Sequence, residues 1–324
     1  MGKRRASFLS YKASFTFIVF VILVVFFSFF TPNHTFVGSN NIGALGKLIP
    51  DLGIISLGVG ILMIAGEFDM SVASIIPVSS FVFINLLAWN VPLIITFILT
   101  LMVGIALGTI NGFLVVKTGI PSFIATLGTM MFWKGVVFAA SRMMPIGLRA
   151  YLEPGSTLEN VLTGTIGGYF PLQFLWFLII SIVLLLFLHI HKFGNWIYVT
   201  GDNKNAARAM GINTDMVKIV SYVLVGFLCS FMSVMQTLRI ESFTATQGSG
   251  YGLKAIASAV VGGTSLTGGV GSLPGILLGT LTIQILENGL ILLGAPVFGI
   301  NAFIGAGIVI FAILNVLAER FRTR

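Results

Sequence analysis

Charge is what this 324-residue chain has least of. Only 9% of its residues are Asp, Glu, Lys or Arg, against about 25% in an ordinary soluble domain. With 56% hydrophobic residues and a mean hydropathy of +1.04, no water-soluble surface can be assembled, which excludes a soluble enzyme or nucleic-acid binder. Cysteine is nearly absent: Cys229 stands alone in an apolar run, so an intrachain disulfide is impossible. The three histidines, His34, His189 and His191, lie near the ends of apolar runs with no cysteine or acidic cluster beside them, and none reads as a metal ligand. ATP hydrolysis would need a G-x-x-x-x-G-K-[S/T] loop, yet the Gly-Lys pairs, Gly2-Lys3 and Gly46-Lys47, run on into Arg4 and Leu48. Asp51 and Asp69 sit in no pattern of an intramembrane hydrolase. No catalytic residue, metal or cofactor is expected on this chain.

What is present is a succession of apolar runs. Spans of about 20 apolar residues fall near 15–30, 42–65, 70–89, 92–116, 121–140, 171–189, 216–238, 253–261, 273–293 and 297–317. About ten transmembrane helices in one polytopic domain, 1–324, are predicted, with both termini on one side. The eighth run is too short to cross unaided and extends or is re-entrant. Lys3, Arg4, Arg5, Lys12, Lys117, Lys192, Lys204, Arg208, Lys218, Arg320, Arg322 and Arg324 gather on one face, which the excess of Lys and Arg on inner loops makes the cytoplasmic one. The net charge of +8 therefore reads as topology and attraction to membrane lipid, not as a nucleic-acid footprint. The basic, apolar N-terminus lacks a small-x-small cleavage pattern where Thr31-Pro32-Asn33-His34 follows, so it is expected to remain as an uncleaved first helix.

Two interruptions stand out. Residues 262–272, Gly-Gly-Thr-Ser-Leu-Thr-Gly-Gly-Val-Gly-Ser, hold five glycines in eleven positions between apolar runs. In a bilayer such a broken helix survives only where protein or a water-filled cavity surrounds it, and breaks of this kind mark transport pathways. The loop 192–215 is the longest basic one. Within it, Asn203 to Gly211 reads as a short helix with Asp202 or Asn203 as N-cap and Gly211 as the stop, and its small residues Ala206, Ala207 and Ala209 leave room for another surface to approach.

The run Asn195-Trp196-Ile197-Tyr198-Val199-Thr200-Gly201-Asp202-Asn203, followed by Ala206-Ala207-Arg208-Ala209-Met210-Gly211-Ile212-Asn213, closely resembles the coupling loop of permease subunits of ABC importers for simple sugars, the ribose/xylose/arabinose/galactose group. Ala65-Gly66-Glu67-Phe68-Asp69-Met70-Ser71-Val72-Ala73-Ser74, Gly119-Ile120-Pro121-Ser122-Phe123-Ile124-Ala125-Thr126-Leu127-Gly128 and the glycine-rich 262–272 segment agree with further family motifs in the same order. Met70 and Ala73 stand where the family usually has Leu and Gly. The resemblance spans roughly residues 53–315. It implies an all-α integral membrane protein with a type II ABC importer-like fold and broken helices, in a bacterial plasma membrane with both termini cytoplasmic. It also implies three partners: a separate ATPase subunit that holds the ATP, an extracytoplasmic sugar-binding protein, and a second permease copy or paralogue across the path. Asn203, Ala206, Ala207, Arg208 and Gly211 would form the ATPase-coupling element, with Arg208 meeting an acidic or carbonyl group of the ATPase.

For the path or gate, the candidates are Asp69, Ser71, Thr264, Ser265, Gln284, Glu287 and Asn288. Asp69 and Ser71 serve equally well as caps of a following helix. Thr264 and Ser265, like Thr267, either orient the break or offer hydroxyls to a sugar. Gln284, Glu287 and Asn288 share a helical face, and an ionisable group inside a membrane faces a cavity or the protein interior. Glu287 lines the path, pairs with Arg239 or Lys254, or lies at the subunit interface. Gln247, Ser249 and Tyr251 form either a flexible turn or a contact for the binding protein. A faint echo between 66–74 and 263–272 suits a transporter with paired breaks. The competing functions are a sister permease for nucleosides, branched-chain amino acids or a furanone-type signal, and an ion-driven secondary transporter, which would need no docking helix.

Overall fold

The computed structural model describes residues 11–296, 299, 302–307, 309, 310 and 313. The described chain runs through α1 (Tyr11–Phe30), α2 (Ser39–Ile64), α3 (Val72–Ala88), α4 (Leu93–Thr118), α5 (Ser122–Ser141), α6 (Thr157–Thr163), α7 (Leu172–Ile190), α8 (Lys192–Asp202), α9 (Lys204–Ala209), α10 (Thr214–Ile240), α11 (Tyr251–Val261) and α12 (Leu273–Leu292). Four two-residue strands make two small antiparallel pairs: β1 (Ile146–Gly147) with β4 (Ser242–Phe243), and β2 (Thr165–Ile166) with β3 (Phe170–Pro171). Helix dominates because a spanning segment must satisfy its backbone groups within itself.

Six helices, α2, α4, α5, α7, α10 and α12, are long and apolar enough to cross a membrane, and 15–30, α3 and α11 are shorter apolar helices. Their limits fall within a few residues of the expected spans. The expected tenth span, 297–317, lies largely outside the described residues. Loop 192–215 holds more order than expected, since all of 192–202 is helical as well as the short α9.

The centre of the bundle is α2, whose residues from Ile49 to Ile64 are all buried. Its glycines admit three neighbours: a Cβ at Gly53 would strike Phe177 of α7, at Gly58 Leu228 of α10, and at Gly60 Ile276 of α12. The most extensive helix pair is α4 with α10. Gly104, Gly108 and Gly112 stand four residues apart on α4, the small-xxx-small spacing that lets membrane helices touch backbone to backbone. A Cβ on Gly104 would lie 2.3 Å from the Gly226 carbonyl oxygen, and one on Gly108 2.3 Å from that of Tyr222.

Lys117, Lys192, Lys204 and Lys218 belong to one end of the bundle, the basic face. There Glu67, Gly119, Ser122, Lys204 and Lys218 line a common cavity of about 180 Å³, and Glu67 pairs with Lys218. At the opposite face the loop after α5 is fastened by Arg149, which bonds Glu159 at 2.6 Å and Glu241 at 2.7 Å and holds the Glu159 carboxyl below its usual range.

Gly108→Leu is expected to destabilise the protein by about 3 kcal/mol through overpacking against backbone. Gly43→Ala, where a Cβ meets nothing within 4 Å, should be neutral or stabilising by up to about 1 kcal/mol. Thermal unfolding of the detergent-solubilised protein measures both.

Candidate transport site

The two interruptions are ordered, for different reasons. Between α2 and α3 the backbone at 65–71 is not helical, and side chains from three neighbouring helices hold it. Ser122 Oγ accepts from the Phe68 N–H at 3.1 Å, Thr126 Oγ1 accepts from the Met70 N–H at 3.0 Å, and the Tyr222 hydroxyl donates to the Phe68 carbonyl at 2.9 Å. Asp69 is fully buried and turns back on its own chain, accepting from the Ser71 N–H at 2.8 Å and the Ser71 hydroxyl at 2.5 Å. Asn111 of α4 donates to Ser71 Oγ at 2.6 Å. Asp69 and Ser71 thus brace the break just ahead of α3, where Ser71 holds the N-cap position with no side-chain bond into the helix.

The second interruption, 262–272, relies on its own backbone. Thr264 N–H donates to the Ala259 carbonyl and Ser265 N–H to that of Val270, both at 2.9 Å. Ser265 Oγ and Thr267 Oγ1 lie 2.9 Å apart, and Thr264 is buried. Ser272 caps α12 through the Gly275 N–H.

The two breaks meet each other and the end of α8. Gly269 N–H donates to the Ile64 carbonyl at 2.9 Å, joining the second break to the last turn of α2. Gly201 is wedged between them: a Cβ there would lie 1.9 Å from the Ile64 carbonyl oxygen and 2.6 Å from the Gly269 nitrogen. Gly66, at φ +85°, and Gly268, at φ +88°, complete the contact, with a Cβ on Gly268 only 2.8 Å from the Gly66 Cα. No residue with a side chain fits at Gly201. The Tyr198 hydroxyl, donating to the Gly271 carbonyl at 2.9 Å, adds a second tie from α8.

Beyond Gly201 comes α9. Asn203 is its N-cap, its side-chain oxygen accepting from the Asn205 and Ala206 N–H groups at 3.0 Å each, and Gly211 ends the segment at φ +79°. Of the alanines expected to face outward, Ala207 is fully buried against the bundle, while Ala206 and Ala209 are exposed. Within the chain, the Arg208 guanidinium bonds Asp215 at 2.7 Å and Thr214 at 3.0 Å, and half of the side chain stays exposed. It therefore fastens α9 to the start of α10.

The polar face of α12 points into the bundle at the other end of α11. Glu287 takes both its carboxylate bonds from Lys254 of α11, at 2.7 and 2.8 Å. Asn288 and Asn41 exchange two amide bonds of 2.9 and 3.0 Å, and Gln284 reaches the Leu48 carbonyl at 3.4 Å. Arg239, the other partner considered for Glu287, bonds the buried Asp51 at 2.5 and 3.2 Å and also the Lys47 carbonyl, one turn from Pro50. Gln236 extends the network to Asp51, Tyr251 and Gln247, so Gln247 is buried packing and not a loose turn. Asp51 and Asp69 do not approach each other; the rest of α2, about 20 Å of helix, separates them. Among the described residues no group of three or more His, Cys, Asp or Glu side chains could hold a metal.

Sequence reasoning placed Gly201 and Tyr198 in the coupling-loop motif without giving either a contact of its own, and it missed Asn111 and Tyr222. A glycine inside an otherwise helical run was the available signal for Gly201; the other three give no sign until the helices are placed together.

Residues 41–315 match the model of the family described as branched-chain amino acid transport system / permease component. The chain is 31% identical to the xylose/arabinose import permease protein XylH of Sulfolobus acidocaldarius, over 94% of this chain and 85% of that protein. It is 34% identical to the ribose import permease protein RbsC of Bacillus subtilis, over 94% and 91%, and 31% identical to RbsC of Escherichia coli, over 92% and 91%. No solved structure matches it with significance. A helical bundle with broken spans, matched to that family over most of its length, is a membrane transport permease: the chain belongs to the family of transport-system permease components.

Proposed function

We propose that this permease forms half of the translocation path of an ATP-driven importer of a monosaccharide, with a second copy or paralogue forming the other half, and that the basic face is cytoplasmic. A separate ATPase subunit docks on α9, and a sugar-binding protein delivers substrate to the opposite face. The family description names branched-chain amino acids, but relatives that align over nearly their whole length are named for ribose and for xylose and arabinose, which favours a pentose or related sugar.

The observation that carries the mechanism is the backbone junction at Gly201. A movement imposed on α9 passes through Asn203 into α8, and Gly201 leaves no slack between α8 and the two breaks. Close-packed backbone has discrete arrangements and little compressibility, so a displacement of α8 is shared by α2, α3, α11 and α12. The far ends of α11 and α12 are tied through Lys254 and Glu287, and α2 is tied to α10 through Asp51 and Arg239. The polar residues of α12 act in this reading as a clamp that holds the outer half while the inner half moves. Arg208 keeps α9 in register with α10.

The decisive experiment is reconstitution with the ATPase and binding protein that co-purify from native membrane, followed by uptake of labelled ribose, xylose and arabinose. ATP-dependent uptake is expected; uptake by this chain alone under an ion gradient would replace the importer with a secondary transporter. In the same system Gly201→Ala and Arg208→Glu should each lower uptake at least about tenfold, equivalent to about 1.4 kcal/mol, with inserted protein retained in the membrane. Glu287→Gln should destabilise by about 1–3 kcal/mol, because it strands the Lys254 ammonium in a partly buried site. Removing both charges in Lys254→Met/Glu287→Met should recover most of that loss, measured as a double-mutant cycle in thermal unfolding.

A further inference from the structure

Among the six long spans of the described residues, helix α5 combines the least burial with the joint lowest mean hydropathy. Only 11% of its apolar window is buried inside the chain, against 28% for α4 and α7 and 50% for α12. Exposure of α4 and α7 is matched by a mean hydropathy of 2.5 for each, as contact with lipid requires, whereas α5 reaches only 1.5. The span that shows most of itself is thus among the least apolar. Gly128 and Gly135, on its exposed side, would each carry a Cβ that meets nothing within 4 Å, so packing inside the chain does not explain them.

Lys134 lies in the same helix. At 1.5 Å per residue it stands about 18 Å from Ser122 at the basic end and about 10 Å from Ser141. It is half-buried, and among the described residues no hydrogen bond or ion pair engages its ammonium; Glu67, Asp51, Glu287, Glu159, Glu241 and Asp215 are all committed to other cations. An ammonium in a span with neither partner nor water costs about 2.5–3.5 kcal/mol even on the mildest scale. Water at Lys134 removes that cost.

Resting on the importer reading, we infer that Lys134 lines the water-filled passage and meets the sugar in transit. An ammonium offers three donors and no acceptor, and a sugar presents hydroxyl oxygens all round, so the contact is polar, exchangeable and indifferent to which hydroxyl arrives. Two such charges, one from each half of the path, tolerate each other only across water. Lys134 was passed over in the sequence because it sits inside an otherwise apolar run.

Thiol accessibility tests this in the assembled transporter in vesicles. The sole natural cysteine, Cys229, is fully buried, so the wild-type chain supplies the blank. Lys134→Cys is expected to react with a membrane-impermeant, charged methanethiosulfonate, at a rate that changes when sugar-loaded binding protein and ATP are added. Ile98→Cys, on the exposed side of α4, should not react. Lys134→Gln should lower sugar uptake about tenfold or more, the worth of a charged hydrogen bond. A Lys134→Cys thiol as inert as Ile98→Cys would overturn the inference, because the lysine would then be reaching from a lipid-facing site to the headgroups. Wild-type uptake measured alongside keeps the two readings apart: ATP-driven wild-type uptake with an inert Lys134→Cys removes Lys134 from the path and leaves the importer, whereas an ion-driven wild type removes the importer.

Discussion

The hydrogen bond from the Gly269 N–H to the Ile64 carbonyl is the contact on which this architecture turns. The last turn of a membrane helix leaves carbonyls without helical partners, and here one of them is answered by the backbone of a distant break instead of by water. That arrangement requires the two breaks to lie face to face, and the approach is close enough that only glycine fits at Gly201 between them. Three stretches of chain, near residues 65, 201 and 268, are thereby reduced to one mechanical object.

Around that point the bundle is organised by contrast. At the basic face the breaks touch through backbone, where contacts are short and inflexible. Toward the other face the same helices are joined by long side chains: Lys254 with Glu287, Arg239 with Asp51, and Gln236 between Asp51 and Tyr251. Side chains of this kind can rotate and exchange partners; packed glycines cannot. The two ends of α11 therefore differ in stiffness, and a transport cycle that moves the end at the basic face need not break the opposite one.

Much of this was legible in the sequence, because in a membrane the solvent enforces the rules. The spans follow from apolar length, α9 from Asn203 and Gly211 at its ends, and the breaks from glycine in the wrong place. What escaped depends on which side of a helix faces what. Ala207 and Arg208 are neighbours in a helix that looks uniformly exposed, yet Ala207 is buried and Arg208 bonds Asp215; direction around a six-residue helix is set by the contacts of its ends. Gln284, Glu287 and Asn288 were recognised as one face, but whether that face meets water or Asn41 and Lys254 is decided by α2 and α11. Asn111 and Tyr222 sit in spans where a single polar residue is unremarkable until the break at 65–71 is laid against them.

The internal bonds of α9 bear on how a partner would associate with it. Six residues do not hold a helix in water on their own, since nucleation is unfavourable; here Asn203, the buried Ala207 and the Arg208–Asp215 pair hold the helix without help from outside. A protein that docks on it meets a preformed shape, so little of the interaction free energy is consumed in ordering the chain. Recognition becomes a meeting of rigid bodies, in which mismatched shapes are rejected at encounter and a matched pair can separate and rejoin without refolding.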